Sequence, residues 1–200
     1  MKESMPASEF LAKLANDKSY QEQQLKKREE LALRQAEIAK QEAPLVAELK
    51  FAGFQVDSVW DLVGAKYSYE EAIPVLLRAL KGDCPSKIKE GVLRGLAVRH
   101  ARKYWADLIK IFEQQPSGGP DELKFVSACA LADAADDTVI VDVIEILKKR
   151  EYGIDRAPLL GVLERSKDPR AAMLLHELRD DPILGKEIKK FRRLKRKTSK

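Results

Sequence analysis

Apolar positions recur along this chain at a long, nearly constant interval. Ile73, Trp105, Ile140 and Ala172 are separated by 32, 35 and 32 residues. Leu76, Leu108, Val143 and Leu175 keep the same three intervals, and Leu96, Leu131 and Leu163 form a column nine residues ahead of its partners. Around each column the apolar residues fall three and four apart, the spacing of a helix with one buried stripe. A period of this length marks stacked helical hairpins, in which each unit completes its core against the next. The pattern predicts inner helices over about 69–80, 103–114, 138–149 and 169–179, and outer helices over about 86–98, 121–133 and 156–165. The one longer interval comes from three extra residues in the loop Gln115 to Pro120, where Ser-Gly-Gly and two prolines give turn chemistry.

Start signals agree with this division. Ser68 and Glu71 form a capping-box spacing ahead of the first regular inner helix, and Asp168-Pro169 is a cap followed by proline at the first helical position. Upstream, Ser8 to Leu14 predicts a short helix. Asp17 predicts the cap of a long one through about Glu42, built from strong helix formers. Leu31, Ile38 and Leu45 lie seven apart, but Arg34 and Gln35 interrupt a second stripe. The segment therefore reads as a solvated helix along one edge of the array rather than a coiled coil. Pro44 predicts a restart or kink before Leu45, Val46, Leu49 and Phe51. A short helix from Ser58 to Val63, closed by Gly64, completes the N-terminal part.

The segments EEAIPVLLRALKGD, RKYWADLIKIFEQ, DTVIVDVIEILKK and DPRAAMLLHELRDD resemble the inner helices of bacterial HEAT repeats, the HEAT-like repeats of the phycobilin-lyase type. KEGVLRGLAV, SACALADAAD and PLLGVLERSKDP resemble the outer ones. The Ile-Pro-x-Leu-Leu-x-x-Leu run from Ile73 to Leu80 and the Asp-Pro-Arg start at Asp168 are the most specific matches, and the likeness covers roughly residues 68–180. It implies an all-α, right-handed α-solenoid of about three to four HEAT-like hairpins with a long N-terminal helix. The expected divisions are a helical extension over 1–56, a repeat domain over 57–182 and a basic helix or tail over 183–200. Arrays of this kind act as scaffolds, inhibitors, nucleic-acid binders and occasionally enzymes, so the resemblance bears on fold more than on function.

Composition removes several classes. With 44% hydrophobic and 34% charged residues in 200, the chain is globular. Nothing approaches the roughly 18 apolar residues of a membrane span, and MKESMPASEF has no apolar signal core. Cys84 and Cys129 lie 45 residues apart without a CxxC or a histidine cluster, so neither a disulfide framework nor a metal site is expected. These features predict a cytoplasmic protein without metal or cofactor. The net charge of +5 is unevenly placed: Lys186 to Lys200 carries nine bases against Glu187, which leaves −3 for residues 1–185.

If Ile73, Leu76, Leu77 and Leu80 face the core, the residues between them line the concave side. That exposed column reads Arg78, Lys110, Glu145 and Glu177, beside Val75, Asp107, Asp142 and Leu174. A groove that runs from basic to acidic does not suit a phosphate backbone, whereas mixed charge suits a protein surface. The expected function is non-catalytic recognition of an unidentified protein partner, regulatory or inhibitory, through Arg78, Asp107, Lys110, Asp142, Glu145 and Glu177. The alternative is nucleic-acid or acidic-partner binding by the tail, through Lys189, Lys190, Arg192, Arg193, Lys195 and Arg196.

Chemistry is sparse. His176 breaks an apolar column in the last repeat and reads as a half-exposed structural residue at the rim. His100, between Arg99 and Arg102, reads as solvated. No nucleophile–base pair is visible. Trp60-Asp61 and Trp105 with Asp107 invite comparison with HEAT-like DNA glycosylases, but the acidic columns oppose a DNA cleft and Trp105 falls in the core column. Ser-Gly-Gly at 117–119 lacks the lysine of a phosphate loop.

Overall fold

The computed structural model describes residues 17–190. The expected Ser8–Leu14 helix and the basic positions Arg192, Arg193, Lys195 and Arg196 lie outside them. Among the described residues the regular structure is all helical, with no strand. The chain divides into two compact units, Met1–Gln41 and Glu42–Lys200.

The first unit is described from residue 17 as the opening part of helix α1, Lys18–Phe51. Asp17 caps it as expected, its carboxylate accepting from the Tyr20 N–H at 3.2 Å. Gln41 donates to Glu37 one turn away, at 2.9 Å. Leu25, Leu31 and Leu33 are exposed.

In the second unit α1 continues through Pro44, where a restart or kink was predicted. Proline removes one intrahelical bond; burial of Leu45 and Leu49 on either side of the next turn holds the helix together across the gap. Glu42, which reads in sequence as the helix end, is instead buried. Its carboxylate accepts from the Ser58 hydroxyl at 2.9 Å and the Val59 N–H at 2.6 Å. Ser58 and Asp61 form a capping box over the turn Val59–Leu62, which is a 3-10 helix rather than an α-helix. The Ser68–Glu71 box does not form, and no side chain caps the turn Glu70–Ala72.

From there the helices follow in the predicted order. They are α2 (Ile73–Ala79), α3 (Ser86–Gly95), α4 (Trp105–Gln114), α5 (Leu123–Ala134), α6 (Ile140–Lys148), α7 (Leu160–Arg165) and α8 (Pro169–Glu177). Residues 184–190 are again helical, α9. α2 packs on α3, α3 on α5, α4 on α5, and α7 on α6 and α8. Side-chain contacts repeatedly bridge about one repeat length. Lys103 reaches Glu70 across 33 residues, Lys149 reaches Glu113 across 36, and Trp105 reaches Asp142 across 37. Residues 115–122 form no regular element, so the insertion sits in the predicted loop.

Two departures concern the columns. Leu76, Leu108, Val143, Leu96, Leu131 and Leu163 are all buried, but Trp105 is only partly so and Ala172 is exposed. In α8 and the 3-10 turn Leu178–Asp180 that follows it, the buried residues are Ala171, Leu174 and Leu178, 31 residues after Ile140, Val143 and Leu147 respectively. The last interval is therefore 31, not 32. α2, α4 and α6 are each preceded by a 3-10 turn, whereas α8 starts directly on Asp168 and Pro169. A 3-10 residue turns the chain about 120° against about 100° in an α-helix. Counting residues therefore loses the phase of a unit that lacks the entry turn.

Candidate functional site

The charged column predicted for the concave side falls on α2, α4, α6 and α8. Arg78, Lys110, Glu145 and Glu177 are all exposed. The neighbouring column is mixed: Asp142 is exposed and Asp107 intermediate, but Val75 and Leu174 are buried. Part of the column's charge is already engaged within the molecule. Arg78 pairs with Glu48 of α1 at 3.0 Å. Asp142 accepts from the Trp105 indole N–H at 2.8 Å, which holds that ring only partly buried.

Glu145 and Glu177 are brought together. They flank a groove of about 320 Å³ between α6 and α8, floored by Ile144 and Leu174 and edged by Val141 and Met173. Val141 is 48% and Met173 64% exposed, so two solvent-facing apolar side chains border the groove. Glu145 is bonded to Lys148 in its own helix at 3.1 Å, and Arg170 forks onto Asp168 with its closest contact at 2.7 Å. Among the described residues Glu177 has no ion-pair partner. The groove thus offers an apolar floor and one uncompensated carboxylate.

The tail candidates are described only at Lys189 and Lys190, both exposed; Lys190 pairs with Glu187 at 2.6 Å. Ile188 beside them is buried, so α9 packs against the second unit at least to that residue. The aromatic and acidic residues weighed for catalysis have local duties. Asp61 accepts from the Asp57 and Ser58 N–H groups, and Lys87 sits over the Trp60 ring at 4.6 Å from its centroid. His176 is exposed. His100 is half exposed but bonded, its Nε2 lying 3.0 Å from Glu70. Among the described residues no cluster of His, Cys, Asp or Glu is arranged to hold a metal ion. No helix among them is long and apolar enough to cross a membrane. Cys84 and Cys129 are free, and burial pushes both thiols up.

Three buried charges have no signature in the sequence. Lys124 donates to the Gln115 carbonyl at 2.8 Å while its ammonium lies over the rings of Phe112 and Tyr152. Burial pushes its pKa down. Asp155 is held up by burial, against a bond from the Gly118 N–H. Both tie down the inserted loop. Arg156, 1% exposed, donates to the Gly153 and Leu147 carbonyls and to Asp181. A lysine or arginine in a helical segment reads as surface, and only the packing of distant elements shows otherwise.

Comparison with family models, with curated proteins and with solved structures gave no match.

Proposed function

We propose that the second unit is a right-handed α-solenoid of HEAT-like hairpins that recognises a partner protein, without catalysis, through its inner helices. Support for the solenoid comes from the alternating helix order and the contacts that bridge one repeat length. The observation that carries the function is the groove between α6 and α8, with Val141 and Met173 exposed over an apolar floor and Glu145 and Glu177 at its rim. Recognition surfaces combine a small apolar centre with a polar rim, and the centre supplies most of the affinity. The free Glu177 carboxylate favours a partner segment that sets a cation beside its apolar anchor.

The test is capture from a native-source lysate with nuclease present, using the full chain and two sets of substitutions. One set is Met173→Glu with Glu177→Lys. The other replaces Arg192, Arg193, Lys195 and Arg196 by glutamine, which leaves the buried Ile188 in place. A discrete protein retained by the tail variant and lost with the groove variant supports the reading. Loss of that protein with the tail variant, or with nuclease, refutes it and transfers the function to the basic residues.

A further inference from the structure

A second concavity lies away from the groove, where the irregular segment before α2 meets the start of the 3-10 turn Arg99–Tyr104. It holds about 320 Å³, at the small end of ligand pockets. Its walls include Lys66, Tyr67, Tyr69, Glu70, Arg99 and His100. The chemistry of these walls is sorted by their internal bonds.

Glu70 is fully engaged: Lys103 bonds one carboxylate oxygen at 2.7 Å and His100 the other at 3.0 Å. The bond from Lys103 holds that carboxyl below its ordinary range, so it remains an anion that anchors those two groups. Lys66 and Arg99 are exposed, and among the described residues neither is in an ion pair. Two uncompensated cations therefore line one pocket on a chain whose residues 1–185 sum to −3. Tyr67 lines the same pocket and is 50% exposed. Tyr69, 6% exposed, meets it edge-on at 6.3 Å between centroids and 72° between planes, a contact that steadies the ring.

We infer that this pocket binds a nucleotide, with the planar base stacked on Tyr67 and the phosphate held by Lys66 and Arg99. An exposed aromatic ring beside unpaired cations is the combination that takes a base and its phosphate without reading sequence. The volume admits one nucleotide unit. That unit is either a free mononucleotide or the terminal residue of a single strand; the recognising chemistry is the same. The site stands apart from the protein-binding groove and does not depend on it.

The test measures binding to the full chain by calorimetry and saturation-transfer NMR. The probes are adenosine 5′-monophosphate, ribose 5-phosphate and a short 5′-phosphorylated oligonucleotide. Adenosine monophosphate is expected to bind about tenfold more tightly than ribose 5-phosphate, the share owed to stacking on one ring. Tyr67→Ala should remove that advantage, Tyr67→Phe should retain it, and Lys66→Glu with Arg99→Glu should abolish binding of both small probes. Lys66, Tyr67 and Arg99 are all exposed surface positions, and unchanged melting curves confirm that each variant folds. A much tighter grip on the oligonucleotide, lost with the same variants, identifies a strand end as the source; equal affinity identifies the free nucleotide. Absence of binding, equal affinity for the two small probes, or an undiminished Tyr67→Ala variant overturns the inference.

Discussion

Arg156→Met should unfold this protein more readily than any surface change of similar size. The guanidinium is 1% exposed and makes three bonds, at 3.0 Å to the Gly153 carbonyl, 2.7 Å to the Leu147 carbonyl and 3.2 Å to the Asp181 carboxylate. Leu147 lies in the last turn of α6, where carbonyls lack intrahelical partners. The other oxygen of Asp181 accepts from the Ile183 and Leu184 N–H groups at 2.9 Å and so starts α9. One side chain therefore joins the end of α6, the Gly153 turn and the cap of α9. Methionine fills much of the volume but leaves a buried carboxylate and two carbonyls without their donor. Breaking a buried pair in this way costs about 3–5 kcal/mol. With a urea dependence of about 2 kcal/mol per molar, the midpoint should fall by roughly 2 M in a titration followed by helical circular dichroism. Arg156→Met with Asp181→Asn should be less destabilised than the sum of the two single changes. The amide keeps an oxygen for the α9 cap but leaves no charge to bury, so coupling of about 0.5–3 kcal/mol is expected. A loss below about 1 kcal/mol in the single variant, or strict additivity in the double, would falsify the account of this residue as a buried tie.

Two further outcomes follow from local geometry. A Cβ at Gly91 would lie 2.6 Å from Val59 Cγ1 and 2.8 Å from Trp60 Nε1, so Gly91→Ala should lower stability by about 1–3 kcal/mol despite the better helix propensity of alanine; a thermal midpoint at or above the parent's would show that the 3-10 turn yields freely. Asp168, bonded by the Arg170 side chain and N–H, has its carboxyl lowered to about 2. A folded pKa below the unfolded one stabilises the fold above roughly pH 4, and that contribution disappears as the pH falls towards 2. Asp168→Asn still caps α8 but does not titrate, so acid titrations should show a shallower loss of stability for the variant between pH 4 and 2, and parallel curves would remove Asp168 from the acid response.

Local patterning along the chain is enough to predict the helical class, the order and approximate limits of the elements from Ile73 to Leu178, and the loop that takes the three-residue insertion. Each of these is a property of neighbouring residues. A stripe three and four apart makes a helix because one side must leave water, and caps such as Asp17 and Asp168 act within one turn. The exposed column of Arg78, Lys110, Glu145 and Glu177 was legible for the same reason. Tertiary structure alone decided the rest. Trp105 sits in an apolar column, but an indole N–H needs an acceptor, and Asp142 supplies one 37 residues away at the surface. Ala172 and Leu175 fit the residue count, yet α8 buries Ala171 and Leu174 because it begins without the 3-10 turn that precedes α2, α4 and α6. Glu42, Lys124 and Arg156 look like solvent-facing charges until elements 9 to 25 residues away fold over them and satisfy their bonds. The groove at Met173 and the pocket at Tyr67 are likewise spaces between segments distant in the chain. Local patterning can state which faces want to be covered; which partners cover them, and what stays open, is fixed only when the segments meet.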